Sequence, residues 1–198
     1  QRQMCIRDSK HEDAIYFSKR VTRAVPDGGP IEAHTDLVKK LDYECELAVV
    51  LGRDARDVPA GQTRDYIFGY TILNDVSARD VQTAHKQWYF GKSLDGFTPI
   101  GPCIVTADAF ADYPPRLGIR SFVNGEKRQD SNTALQIFDI DHVIAELSQG
   151  MTLKAGTIIA TGTPAGVGMG MDPPQFLKPG DVVRCEIDGI GTLTNPVR

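Results

Sequence analysis

Little in this sequence points to nucleic acid, a membrane or an oxidising compartment. Its 198 residues carry 22 lysines and arginines against 26 aspartates and glutamates, a formal net charge of −4. No basic stripe or nucleic-acid-reading motif offsets that acidity, which argues against nucleic acid as a partner. Apolar runs are short. "LAVVL" and "TIIA" are the clearest, far below the roughly 20 residues of a membrane-spanning helix. No leader pattern opens the chain. Cysteine is scarce: Cys5, Cys45, Cys103 and Cys185 are scattered, without a C-x-x-C. That pattern excludes a thiolate metal cluster and fits reduced thiols in the cytoplasm. The four histidines, His11, His34, His85 and His142, include no i, i+4 pair. A two-histidine helical zinc motif is therefore missing too.

What the chain does have is an acid pair inside an apolar strand pattern, "DYECELAVVL" from Asp42 to Leu51. Side chains alternate across a strand. One face carries Tyr43, Cys45, Leu47, Val49 and Leu51. The other carries Asp42, Glu44, Glu46, Ala48 and Val50, acidic at first and then apolar. The Cα atoms of Glu44 and Glu46 are expected about 6.5–7 Å apart. Carboxylates that close, shielded from water, repel, so either one binds a proton or a cation lies between them. Two readings stay open on this stretch: a divalent metal site, or a solvated acidic strand end. A third acid tips the balance. Asp75 ends the next strand pattern, "GYTILND", at a strand-to-helix junction, where its plainer role is helix capping. Arg79 and Gln82 follow on the same helical side. The arginine can hold Asp75 or a substrate carboxylate. Glu44, Glu46 and Asp75 together are hard oxygen donors that suit Mg²⁺, Mn²⁺ or Ca²⁺ and leave coordination positions for water or substrate.

Residues 1–14 are polar and aperiodic and are expected to form a frayed or truncated beginning, with 15–198 as one domain. Short strands are expected at "IYFSKR" and "CIVTA", and a short helix over 59–68. Ser77 and Asp80 fit a capping box for a helix over 78–86. "GIRSFVNGEKRQ" reads as a hairpin turning at Asn124–Gly125. "DIDHVIAELSQG" reads as a helix with Ile140, Val143, Ile144 and Leu147 on one side and Gly150 as its stop. Short strands fill the remainder. The class is α+β, strand-dominated, with a curled mixed sheet.

Two glycine-bearing stretches need weighing. "GKS" at 91–93 echoes a phosphate loop, but Lys86 stands where the first glycine belongs. "TGTPAGVGMG" at 161–170 is either a plain loop or a cradle of backbone N–H groups, with the Thr163 hydroxyl, around a bound anion.

Five motifs, "DYECELAVVLG", "GYTILNDVSARDVQ", "GKSLDGFTPIGP", "VNGEKRQ" and "TGTPAGVG", occur in the order found in the fumarylacetoacetate hydrolase family. The sequence resembles that family from about Tyr16 to its C-terminus. The resemblance implies a mixed β-sandwich roll of the family's C-terminal domain type, with the site at its mouth, in a cytoplasmic homodimer. It implies bound Mg²⁺ or Mn²⁺, with Ca²⁺ as a further option. The implied substrate is a small 2-oxo or 1,3-dicarbonyl acid undergoing C–C hydrolysis, decarboxylation or enol–keto isomerisation. By the same resemblance Glu44, Glu46 and Asp75 are metal ligands and Lys92 is the catalytic lysine. Arg79, Gln82 and Thr163 contact substrate, Thr163 at its carboxylate, and Lys19 stands near the entrance. One family feature finds no match: the upstream His-x-x-Glu pair that activates water. His11 is followed by Glu12 and has Ala14 at i+3, so it reads as linker, and hydrolysis is expected to be weaker than isomerisation or decarboxylation. The alternatives are an impaired member that only binds metal and small acids, and a domain with a structural Ca²⁺ ion.

Overall fold

The computed structural model describes residues 13–198. The expected frayed segment, with His11 and Glu12, falls almost wholly outside them. Ten strands and three α-helices follow one another: β1 (Leu41–Asp42), β2 (Cys45–Leu51), β3 (Ile67–Asn74), β4 (Ser77–Ala78), α1 (Arg79–Ala84), α2 (Tyr89–Lys92), β5 (Ile100–Thr106), β6 (Gly118–Val123), β7 (Glu126–Asn132), α3 (Ile140–Leu147), β8 (Ile158–Ala160), β9 (Val182–Ile187) and β10 (Gly191–Pro196). One four-stranded sheet has the order β5-β3-β2-β8, a second β10-β9-β6-β7, and β1 pairs with β4 alone. The ladders are antiparallel. Among the described residues parallel pairing is confined to the isolated bridges Val25–Pro99 and Ile31–Val197.

Alternation decides how the large sheets meet. Cys45, Leu47, Val49 and Leu51 of β2, with Tyr70 and Ile72 of β3, form one wall of the core. Ile119, Val123, Val183, Cys185, Ile187 and Leu193 form the facing wall. All are buried, and burying side chains of this size stabilises the fold by about 1.5–3 kcal/mol each. The opposite phase of β2 carries Glu46, Ala48 and Val50, so the acids are set on the face turned away from that core.

The hairpin forms as expected. Asn124 and Gly125 both take positive φ, 52° and 84°, the combination a type I′ turn requires. In α3, Asp139 caps the His142 amide at 2.8 Å, Ile140 and Ile144 are buried, and Gly150 follows at φ 68°.

Other expectations need correction. "IYFSKR" is irregular, and the helix expected over 59–68 is a single 3₁₀ turn, Thr63–Tyr66, before β3 takes the chain. The Ser77–Asp80 capping box does not form. Ser77 is extended in the β1–β4 ladder, so its hydroxyl turns back to donate to the Asp75 carbonyl, while the Asp80 carboxylate accepts the Lys39 amide. The helix accordingly starts at Arg79 and ends at Ala84. The acidic strand is also broken: Tyr43 and Glu44 separate β1 from β2. Among the described residues no helix is long and apolar enough to cross a membrane.

Candidate metal centre

The β2–β3 register builds the site. Cys45 lies opposite Asn74, the Asn74 side chain accepts the Glu44 amide at 3.0 Å, and the Asp75 amide donates to the Glu44 carbonyl at 2.8 Å. Glu44, Glu46 and Asp75 thereby offer one carboxylate oxygen each within 4.8 Å of one another. All three are buried, at 8%, 4% and 2% exposure.

Basic groups surround two of these acids. The Lys92 ammonium, itself 2% exposed, donates to Glu44 Oε2 and Asp75 Oδ2, both at 2.6 Å. Helix α2 brings it there by crossing α1 closely at Gly91, where a Cβ would come within 2.6 Å of the Gln82 nitrogen. Lys19 Nζ donates to Asp75 Oδ1 at 2.6 Å from the irregular segment that precedes the sheets, and the Phe17 ring of that segment lies 5.3 Å from Lys92 Nζ. Arg79 spreads its guanidinium over three acceptors: Asp42 Oδ2 on Nε at 2.9 Å, Glu44 Oε1 on Nη2 at 2.7 Å and Gln82 Oε1 on Nη1 at 3.2 Å.

Glu46 differs. Its Oε2 accepts the Gly162 amide at 2.9 Å, and among the described residues it forms no ion pair.

The proton affinities follow these surroundings. Burial, then the Asp75 and Glu44 charges, lift the Glu46 carboxyl to about 8. Burial would raise Asp75 as well, but Lys92 and Lys19 overcome it and pull the carboxyl down to about 2. Burial works against the charge of Lys92, yet Glu44, Asp75 and Glu46 outweigh it and raise its pKa. For Lys19 burial prevails over Asp75, and its pKa falls.

The loop binds the chain's own groups in place of the expected separate anion. The amides of Gly162, Gly168 and Met169 do point at carboxylates, but these belong to the chain itself: Glu46 for the first, Asp42 for the other two. The Thr163 hydroxyl donates to the Cys45 carbonyl at 2.9 Å and accepts from Gln129 Nε2 at 2.8 Å. Its one proton is thus given to β2, which fixes the loop along the strand. Gln129, 0% exposed, completes that clamp by accepting the Cys45 amide and donating to the Pro164 carbonyl. Neither Gln129 nor Asp42 was singled out from the sequence. A glutamine inside a hairpin carries no distinguishing pattern, and Asp42 was read only as part of an acidic face.

All eight residues named from the sequence lie in this region. Glu44, Asp75, Lys92, Lys19, Arg79 and Gln82 are joined by the contacts above, Glu46 lies beside Glu44 and Asp75, and Thr163 adjoins through Gly162 and Cys45. The donor set fits a hard divalent cation: three carboxylates converge, and the one with no basic partner among the described residues is free to exchange a proton for the ion.

A two-sheet antiparallel roll with a buried three-carboxylate centre at the end of its central strands defines the class. Residues 2–198 match the family model described as fumarylacetoacetate (FAA) hydrolase C-terminal, and the chain belongs to that family. It is 45% identical over 186 residues to the oxaloacetate tautomerase YisK of Bacillus subtilis, covering 94% of this chain and 62% of that relative. It is 51% identical, with a TM-score of 0.85, to a solved fumarylacetoacetate hydrolase from Exiguobacterium antarcticum, covering 87% of this chain and 62% of that one. A solved 5-carboxymethyl-2-hydroxymuconate delta-isomerase from Mycobacterium smegmatis is 42% identical with a TM-score of 0.83, covering 94% and 70%. The chain thus spans about three-fifths of the length of the curated relatives it matches.

Proposed function

We propose that the chain is a divalent-metal-dependent enzyme of 2-oxo acids, acting by enol–keto isomerisation or decarboxylation in preference to C–C hydrolysis. The observation that carries this reading is the convergence of the buried carboxylates of Glu44, Glu46 and Asp75 beside Lys92. The relatives named as a tautomerase and a delta-isomerase support isomerisation, and the one named as a hydrolase keeps C–C hydrolysis as the second reading.

Glu44, Glu46 and Asp75 would hold Mg²⁺ or Mn²⁺, which when bound supplies positive charge for the carbonyl and carboxylate oxygens of a 2-oxo acid. The residues do the rest. Lys92 Nζ presents an ammonium where negative charge develops on the substrate as a C–H or C–C bond breaks. Arg79 spends three N–H groups on Asp42, Glu44 and Gln82, and its remaining N–H groups are available to a substrate carboxylate. Gln82 and the loop at Thr163 orient that substrate. Lys19, bonded to Asp75, and Phe17, beside Lys92, would restrict water at these groups. The proposal extends to a cytoplasmic homodimer, which light scattering and fractionation test.

The test is a panel of 2-oxo acids with Mn²⁺ or Mg²⁺, followed by enol absorbance with and without chelator. Metal-dependent tautomerisation or decarboxylation supports the reading. Metal and oxalate binding without turnover would reduce it to a binding protein, and retention of a fully coordinated Ca²⁺ to a structural site.

A further inference from the structure

The acidic strand begins with a carboxylate that the metal chemistry does not use. Asp42 is 0% exposed. Its Oδ1 accepts N–H bonds from Tyr43 at 2.9 Å and Gly168 at 2.7 Å, and its Oδ2 from Met169 at 2.9 Å and Arg79 Nε at 2.9 Å. Those donors use the carboxylate's acceptor capacity in full. Asp42 is also outside the group whose oxygens converge.

These contacts orient a neighbour. One ion pair fixes a point on a guanidinium, whereas acceptors on two of its nitrogens, whose N–H groups lie in its plane, fix that plane. Asp42 on Nε and Glu44 on Nη2 are such a pair. The same carboxylate grips the loop. A Cβ at Gly168 would lie 1.9 Å from the Gln175 carbonyl and 2.9 Å from Asp42 Oδ1, so that amide reaches Asp42 only because the residue is glycine. The other end of the loop carries Gly162, bonded to Glu46. A single buried side chain therefore ties the loop beside Glu46 to the arginine beside Glu44.

We infer that Asp42, held against the 162–169 loop, is a positioning residue that sets the plane of Arg79, so that Arg79 meets the carboxylate of an oxo-acid ligand in one orientation. The ligand class rests on the function proposed above; the geometry does not.

The experiment compares wild type, Asp42→Asn, Arg79→Met and the double variant. Each is titrated with Mn²⁺, and the Mn²⁺-loaded proteins are titrated with oxalate. Asparagine keeps one acceptor oxygen but turns an NH₂ toward donors. Asp42→Asn is expected to weaken oxalate binding about tenfold, the size of one charge-assisted hydrogen bond, with Mn²⁺ affinity within about threefold. Added to Arg79→Met it is expected to change oxalate affinity less than about twofold. Equal losses in both backgrounds would overturn the inference, because a general structural role acts regardless of Arg79. If Asp42→Asn fails to fold, the unmutated protein decides by NMR. The Arg79 Nε–H signal is expected to exchange slowly with solvent, and a freely exchanging signal overturns the inference. Wild type that binds Mn²⁺ but not oxalate would instead sink the substrate reading, and the exchange measurement still judges Asp42.

Discussion

Glu44 stands just before β2 and Glu46 lies within it, yet Glu44 meets Lys92 and Arg79 at 2.6 and 2.7 Å while Glu46, among the described residues, is bonded to the Gly162 amide and to no basic group. Among the described residues the first carboxylate has basic partners and the second has none. In a buried place that asymmetry leaves Glu46 with a proton or a cation as its partner.

Glu46→Gln is therefore expected to be nearly silent without metal. With the carboxyl lifted to about 8, the protonated form dominates near pH 7, and glutamine matches it in shape while still accepting the Gly162 amide. Metal-free melting should shift by less than about 0.5 kcal/mol equivalent, while Mn²⁺ affinity falls about 100-fold with the loss of a charged ligand. Paired thermal melts and calorimetry check both halves. Undiminished Mn²⁺ binding removes Glu46 from the ligand set.

Lys92→Met takes the opposite course. It leaves Glu44 and Asp75 buried without their shared ammonium, and breaking a buried pair costs about 3–5 kcal/mol. Metal-free denaturation should register that loss, and Mn²⁺ should narrow it by restoring positive charge. Turnover on any active 2-oxo acid should fall by about 10²–10⁴. A stability deficit that Mn²⁺ leaves untouched would place the ion elsewhere.

The role proposed for Thr163 is tested by valine and serine. Thr163→Val removes the hydroxyl bond to the Cys45 carbonyl and the acceptor for Gln129, a loss of about 1–2 kcal/mol, and should raise KM by loosening the loop. Thr163→Ser should restore both. Denaturant titration with steady-state kinetics tells them apart; a serine variant as poor as valine would move the role to the threonine methyl group.

Gly91→Ala tests how Lys92 is delivered. A Cβ there meets the Gln82 nitrogen at 2.6 Å and pushes α2 from α1, an overpacking worth about 1–3 kcal/mol. Turnover should drop while Mn²⁺ still binds through the three carboxylates. Wild-type rates would show that Lys92 reaches the site without the close helix crossing.

The acid pair, the junction aspartate and the hairpin turn were legible because each rests on a short-range rule: period-two alternation, a strand end, a two-residue turn. The capping box misled for a tertiary reason. Ser77 has the right spacing, but pairing with Asp42 in the β1–β4 ladder holds its backbone extended. The partners of the 161–170 loop were illegible, because Asp42 and Gly168 are 126 positions apart and no local pattern joins them. Gln129 was invisible for the same reason, since its partners at Cys45 and Thr163 lie 84 and 34 positions away.

Strand β2 is held in register on both sides, Ala48 opposite Thr71 on β3 and opposite Ala160 on β8. A one-residue insertion between Glu46 and Ala48 would turn the strand over relative to its neighbours, sending Glu46 toward the core or Val49 out of it. In lineages of this chain the stretch should therefore accept changes of letter and refuse changes of length. Gaps in descendant sequences should collect in the loops between strands and leave Glu44 through Leu51 unbroken.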